Sequence, residues 1–125
     1  MNYHDYHLRS YSVSDFGNTI TLDLVCDYPN SPKDESKIEF TDVVAYHFIH
    51  TGGTIITEID EIPVIELLEK VGDSLLEWSH QHGGLKFLNK DLSAYKTKLE
   101  GEGYKSWSIE SVIGFEGFVI AKKVE

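Results

Sequence analysis

Histidine and cysteine side chains are the groups in this sequence that most readily bind metals or act in catalysis. Two of the six histidines, His47 and His50, are three residues apart in a segment that alternates like a strand, so we expect them on opposite faces. His80 and His82 are two residues apart near a predicted helix end, and they should also diverge. No H-E-x-x-H or similar spacing occurs. We therefore predict no metal site and no cofactor.

The sequence also lacks the motifs of nucleophilic catalysis and phosphate binding. Cys26 is the lone cysteine, and it continues the apolar face of an alternating strand, so we expect a buried small side chain. A lone cysteine excludes a disulfide framework and a Cys-based zinc site. Gly101 and Gly103 follow a predicted helix instead of preceding one, which is the wrong context for a phosphate loop. We identify no catalytic residue, and a non-enzymatic protein is favoured.

Acidic residues on a predicted helix are the clearest candidates for binding. Pro63 suits the first turn of this helix. Apolar residues then recur at steps of three and four, at Val64, Leu68, Val71, Leu75 and Trp78. At about 100° per residue, four acidic residues fall nearly opposite the apolar ones, namely Glu66, Glu69, Asp73 and Glu77. We call these four residues the acidic stripe.

The acidic stripe has three possible roles. Like charges at these spacings repel by about 0.2–0.5 kcal/mol per pair, and only Glu66 and Lys70 form a favourable pair. The stripe could be a solvated face that serves solubility, a docking surface for a basic protein partner, or a cation site. Carboxylates on one helix face rarely complete a coordination shell, which disfavours the cation site.

Composition and charge limit the classes of partner. The 125 residues include 11 basic and 21 acidic side chains, for a net charge of −10, and residues 58–77 carry seven acidic residues against one lysine. This sign disfavours nucleic acids and anionic membranes as partners. No segment approaches the roughly 18 apolar residues of a membrane span, and the first residues lack the features of a signal peptide. We expect one cytoplasmic domain over residues 1–125.

Hydrophobic periodicity predicts the strands that must position these residues. Alternation indicates strands at residues 6–13, 19–27, 37–50, 54–59, 104–110 and 115–124. The third segment is either one long strand or two strands, with a bulge or bend at Thr41 and Asp42. Residues 51–53 predict a hairpin turn into the fourth strand, and the last two strands lie on either side of Gly114.

Two helices separate the fourth and fifth strands. The helix that carries the acidic stripe should end near residues 82–84. Asn89 can cap the second helix, which carries Leu92, Tyr95 and Leu99 and stops at residues 101–103. The fold class is therefore α+β, with a mainly antiparallel sheet of about six strands in the order ββββααββ and two helices packed on one face.

Several aromatic residues are not required by a core pattern, namely Tyr3, Tyr6, Tyr11, Tyr104 and Trp107. Exposed together beside an acidic face, such residues would have the composition of a protein-binding hot spot. Alternatively, they form large cross-strand pairs on one face of the sheet. The pattern of the sequence leaves both interpretations open.

The segment at residues 40–48, FTDVVAYHF, is followed by EIDEIP at residues 58–63 and by an amphipathic helix. This arrangement resembles small uncharacterised bacterial proteins, some of which lie near toxin loci and are proposed immunity proteins. The similarity spans residues 8–124 in general layout and carries no catalytic motif. It implies a cytoplasmic bacterial protein that binds another protein.

These observations favour a non-enzymatic, immunity-like module whose acidic stripe covers a basic surface of a partner protein. Electrostatic steering by such a face can raise association rates by roughly 10–10³ at low salt. One alternative is a small hydrolase, metal-dependent or metal-free, that uses histidines from distant segments. Another is a homodimer or larger homo-oligomer that binds a ligand and pairs an open strand edge, at residues 50–59 or 118–124.

Overall fold

The computed structural model describes residues 3–82, 86–88, 91–111 and 113–125, which form eight strands, two α-helices and one short 3-10 helix (Asp15–Gly17). Five strands come first, β1 (His7–Ser14), β2 (Thr19–Cys26), β3 (Asp34–Thr41), β4 (Ala45–Ile55) and β5 (Glu58–Ile62). The helices follow as α1 (Val64–His82) and α2 (Leu92–Gly101). The last three strands are β6 (Lys105–Glu110), β7 (Ile113–Ala121) and β8 (Lys123–Val124).

The eight strands form one antiparallel sheet in the order β5-β6-β7-β4-β1-β2-β3-β8. The chain bends at Lys122, so β7 lies between β4 and β6 whereas β8 pairs with β3. Because β7 and β8 are nearly continuous, this bend brings distant parts of the sheet together and curls it into a half-barrel. β1 and β4 share a single register pair, His7 with Ile55.

The inner face of the curled sheet holds one hydrophobic cluster. Alternate residues of each strand point inwards, such as Ile20, Leu22 and Leu24 of β2, which are all fully buried. Phe40 of β3 and Trp107 of β6 meet from opposite walls, with ring centroids 5.2 Å apart. The alternation predicted for β2 is therefore confirmed, and its apolar face helps to hold the curl closed.

A second hydrophobic cluster lies on the outer face, where α1 and α2 pack against the sheet. Phe118 and Ile120 of β7 point to this side because they alternate with the inward-facing Val119. The helices contribute Leu67, Leu68 and Leu75 from α1, and Tyr95 and Leu99 from α2. Each buried leucine contributes roughly 1.5–3 kcal/mol. The two helices thus pack on one face of the sheet, as their apolar spacing predicts.

The predicted α+β class, with two helices and an antiparallel sheet, is confirmed, but the strand count and order are wrong. The sheet has eight strands instead of about six, and the elements follow the order βββββααβββ instead of ββββααββ. The bend predicted at Thr41 and Asp42 separates β3 from β4, and Asp42 has a φ of 55°. A second break, at Lys122, divides the last predicted strand. Hydrophobic alternation does not show where a strand changes its neighbours.

The hairpin turn predicted at residues 51–53 is wrong, because β4 continues through these residues to Ile55. They form an irregular part of the β4–β7 ladder, in which Gly52 has a φ of 113°. A Cβ atom on Gly114 of β7 would lie 2.2 Å from the backbone nitrogen of Gly53. Glycines here allow two adjacent strands to approach closely instead of reversing the chain.

Both helices lie where their periodicity predicts, with one change at a terminus. α1 follows Pro63 directly, and the carbonyl of Pro63 accepts a hydrogen bond from the amide of Leu67. Asp91, and not Asn89, caps α2, and its carboxylate accepts hydrogen bonds from the amides of Ser93 and Ala94. Asn89 and residues 83–84 lie outside the described residues. In the described part of the chain, no helix is long and apolar enough to cross a membrane.

Candidate partner-binding surface

The acidic stripe lies on the side of α1 that faces away from the sheet. All four of its residues are exposed, whereas Val64, Leu67 and Leu75 of the same helix are buried. The ammonium of Lys70 lies 3.9 Å from a carboxylate oxygen of Glu66. The predicted separation of apolar and acidic faces is therefore present, and the stripe is accessible to a partner.

A cleft of about 350 Å³ lies beside the acidic stripe, between α1 and the outer face of the sheet. Its floor is apolar and includes Leu67, Val71 and Phe118. Three small residues, Ser74 of α1, Ser108 of β6 and Gly117 of β7, line the space between helix and sheet. Because Ser74 and Ser108 have small side chains, the helix and the sheet leave a gap here.

Gly117 has a further structural role at the cleft. A Cβ atom at this position would lie 1.9 Å from the carbonyl oxygen of His47 in β4. Only glycine therefore fits between the neighbouring strands without a shift of the backbone. Because Gly117 pairs with Phe48, whose ring packs against the inner cluster, this Cβ would point to the inner face and away from the cleft.

One wall of the cleft is a stacked pair of rings. The imidazole of His47 lies parallel to the indole of Trp78, with centroids 4.1 Å apart and an interplanar angle of 18°. His50 instead faces the inner side, where its ring meets those of Tyr11 and Phe115. The prediction that His47 and His50 point to opposite faces is confirmed. The stacking partner of His47 comes from α1, which no local pattern indicates.

The other wall of the cleft carries carboxylates from neighbouring strands. Glu110 of β6 and Glu116 of β7 both line the cleft. The β6–β7 ladder pairs Ile109 with Gly117, so the next position places Glu110 opposite Glu116. Glu58 of β5 is directly opposite Glu110 on its other side. We call Glu58, Glu110 and Glu116 the carboxylate row.

The carboxylate row is electrostatically unfavourable by itself. Like charges that face each other across a sheet destabilise the pairing. Among the described residues, none of the three glutamates forms an ion pair. The row therefore presents three carboxylates that have no ion-pair partner in the described part of the chain.

The acidic stripe and the carboxylate row belong to one surface. At about 100° per residue, Lys70 and Ser74 lie on α1 next to the stripe, and both line the cleft. Glu110 and Glu116 line the opposite side of the same cleft, and Glu58 lies next to Glu110 in the neighbouring strand. We call the stripe, the cleft and the row together the acidic surface, which carries seven carboxylates and the ammonium of Lys70.

The described histidines and the cysteine do not converge on a second site. No group of three or more His, Cys, Asp or Glu side chains in the described part of the chain could hold a metal ion. The side chain of His82 lies outside the description, and His80 is exposed on α1. Cys26 is half-buried at the end of β2, so the expectation of a buried thiol is wrong. The inner cluster does not extend over this strand end.

The aromatic residues that the sequence singled out do not form an exposed cluster. Trp107 is buried in the inner cluster and Tyr104 in the outer one. Tyr3 and Tyr6 pack at the edge of the inner cluster, and Tyr11 is 39% exposed. The alternative interpretation, large side chains packed by the sheet, describes these residues better.

The open strand edges coincide only in part with those predicted for an oligomer. The edge strands are β5 and β8, so most of residues 118–124 lies in β7, at the centre of the sheet. Of residues 50–59, Glu58 and Ile59 belong to the edge strand β5, and residues 50–54 lie in β4, which pairs with β1 only between His7 and Ile55. β5 also carries Asp60 and Glu61, and charged side chains discourage edge-to-edge pairing.

The cleft is the feature that sequence reasoning missed. Its walls come from β4, α1, β6 and β7, and no local pattern connects these elements. No family model matches the chain, and neither the curated proteins nor the solved structures include a significant match. The geometry and charge of the acidic surface are therefore the basis for the function proposed for this protein.

Proposed function

We propose that this protein is a non-enzymatic, immunity-like module that binds a basic protein partner through its acidic surface. The observation that carries the proposal is the continuity of this surface, in which one helix and one end of the sheet expose seven carboxylates around a cleft. A field of this sign attracts a basic partner and accelerates its association at low salt. Protein binding also requires no catalytic group.

A face that serves only solubility would not require this arrangement. Carboxylates could then be scattered over the surface, where they repel one another less. Here two of them, Glu110 and Glu116, line an apolar cleft, which supplies contact area that a uniformly polar face lacks. A hydrolase has less support, because the described histidines point to different parts of the molecule.

Charge reversal on the acidic stripe tests the proposal. The test variant is Glu69→Lys, Asp73→Lys and Glu77→Lys combined. The immobilised variant and the wild type are each incubated with lysate of the native cell at low and high salt. We expect one or more basic proteins to be retained by the wild type at low salt and lost with the variant. With a purified partner, the association rate should fall by at least about tenfold.

A matched control separates local from global charge. Asp27→Lys, Glu39→Lys and Glu125→Lys combined make the same change in net charge at exposed positions elsewhere in the molecule. This control should retain the partner as the wild type does. Equal loss with both variants, or retention that ignores both variants and salt, would show that the acidic stripe is not the docking surface.

A further inference from the structure

We infer that the cleft beside α1 binds an exposed arginine side chain of the basic partner, with the guanidinium between Glu110 and Glu116 and the aliphatic part along Trp78. This inference rests on the proposed function and specifies the chemistry that the acidic surface recognises. It depends on three features of the cleft, which are its size, its aromatic wall and its paired carboxylates.

The size of the cleft fits one long side chain. A volume of about 350 Å³ is at the lower end of the range of small-ligand sites, about 300–1,000 Å³. A helix, about 10–12 Å across with its side chains, could not enter it. The apolar floor suits a chain of methylene groups, and the carboxylates at the sheet side suit a positive charge at the end of that chain.

The paired carboxylates favour a planar cation. Residues opposite each other on antiparallel strands have Cβ atoms about 4.5–5.5 Å apart, so the carboxylates of Glu110 and Glu116 can approach one guanidinium together. A guanidinium presents five N–H donors in a fixed plane and binds carboxylates in bidentate fashion. An ammonium is a compact point charge and matches this arrangement less well. A bound cation would also relieve the repulsion within the carboxylate row.

The aromatic wall favours the same ligand. Trp78 and His47 are stacked and line the cleft together, and a guanidinium or its aliphatic stem packs well against an indole. Lys70 also lines the cleft, but its ammonium lies 3.9 Å from Glu66, towards the acidic stripe. The repulsion between Glu110 and Glu116 therefore remains for an incoming cation to neutralise.

Three small peptides test the inference and do not require the partner itself. They are acetyl-glycyl-arginyl-glycinamide and its lysine and citrulline analogues, of which citrulline has the shape of arginine without the charge. Binding is followed by NMR through the indole N–H resonance of Trp78, and the buried Trp107 provides an internal reference. We expect a saturable shift of the Trp78 resonance with the arginine peptide. The lysine peptide should bind several-fold more weakly, and the citrulline peptide at least about tenfold more weakly.

Variants of the carboxylates locate the site. Glu110→Gln with Glu116→Gln keeps the shape of the cleft and removes two charges, and it should weaken arginine binding by at least about tenfold. Glu39→Gln with Glu125→Gln removes two exposed charges elsewhere and should leave binding unchanged. Equal binding of arginine and citrulline, or binding that the cleft variant does not weaken, would overturn the inference. Equal binding of arginine and lysine would overturn the assignment of the ligand to a guanidinium.

The outcomes also separate this inference from the proposed function. In one case, stripe reversal abolishes partner retention, the cleft variant still retains the partner, and the arginine peptide does not bind. The cleft inference then fails and the proposed function stands. If the arginine peptide binds in the cleft while partner retention ignores stripe reversal, the proposed function fails and the cleft remains a cation site.

Discussion

Removal of the Tyr95 hydroxyl should stabilise this protein. The Tyr95 side chain is fully buried between α2 and the sheet, and its hydroxyl has no hydrogen-bond partner among the described residues. A buried polar group without a partner costs about 1–3 kcal/mol, and phenylalanine keeps the ring and its packing. We expect Tyr95→Phe to raise the free energy of unfolding by about 1–2 kcal/mol, and the Tm by about 3–6 °C.

The same hydroxyl should make the effect depend on pH. Burial raises the pKa of Tyr95 from 10.0 to about 12. Between these values the unfolded chain ionises this tyrosine and the folded chain does not, so stability that is present below pH 10 is lost as the pH rises towards 12. At a pH of about 11 the loss amounts to about 1.4 kcal/mol. Phenylalanine cannot ionise, so the advantage of the variant should grow by this amount.

Urea unfolding followed by circular dichroism at pH 7 and at a pH of about 11 measures both effects. Tyr46→Phe is the matched control, because Tyr46 is 41% exposed and its hydroxyl can bond to water. The control should change the free energy of unfolding by less than about 0.5 kcal/mol. If Tyr95→Phe is less stable than the wild type, or if its advantage is the same at both pH values, the buried-hydroxyl reasoning is refuted.

Three further predictions concern the fold. Gly117→Ala should lower the free energy of unfolding by more than about 3 kcal/mol, because its Cβ would lie 1.9 Å from a carbonyl oxygen of the neighbouring strand; a near-normal Tm would contradict this packing. Asp91→Ala removes the cap of α2 and should cost about 1 kcal/mol in urea unfolding, whereas Asp91→Asn should restore most of it. Ion pairing with Arg9 lowers the pKa of both Asp23 and Glu35. The stability from these pairs is therefore present above the normal pKa values of 3.8 and 4.5 and is lost as the pH falls below them. In acid unfolding monitored by circular dichroism, Arg9→Met should therefore lose less stability than the wild type as the pH falls.

Local patterns in the sequence predicted best the elements that bury one face against a single hydrophobic cluster, such as α1 and β2. The helical spacing from Val64 to Trp78 placed α1 almost at its observed limits, because a helix closes its hydrogen bonds within its own segment. The alternation of Ile20, Leu22 and Leu24 identified the buried face of β2 for a similar reason. In both segments, each residue's environment follows from its position relative to its near neighbours in the chain.

The sheet was harder to predict because its pairings join distant segments. The alternating pattern continues through the break at Lys122, although the chain there leaves β4 and β6 and joins β3. Gly52 and Gly53 have the composition of a turn, but they lie in β4 against Gly114 of β7. In each case a neighbour from another part of the chain decides the geometry, and local propensity is overridden.

The candidate site also combines features that the sequence predicts with features that depend on the tertiary structure. The sign of the charge, the segregation of the acidic stripe and the opposite orientations of His47 and His50 follow from the sequence, because composition and local periodicity determine them. Tertiary structure alone decided that His47 stacks on Trp78, that Glu110 pairs with Glu58, and that Glu110 and Glu116 line one cleft. These contacts depend on the register of hydrogen-bonded strands and on where α1 crosses the sheet. The acidic stripe is therefore a property of one helix, whereas the cleft beside it exists only when four distant elements meet.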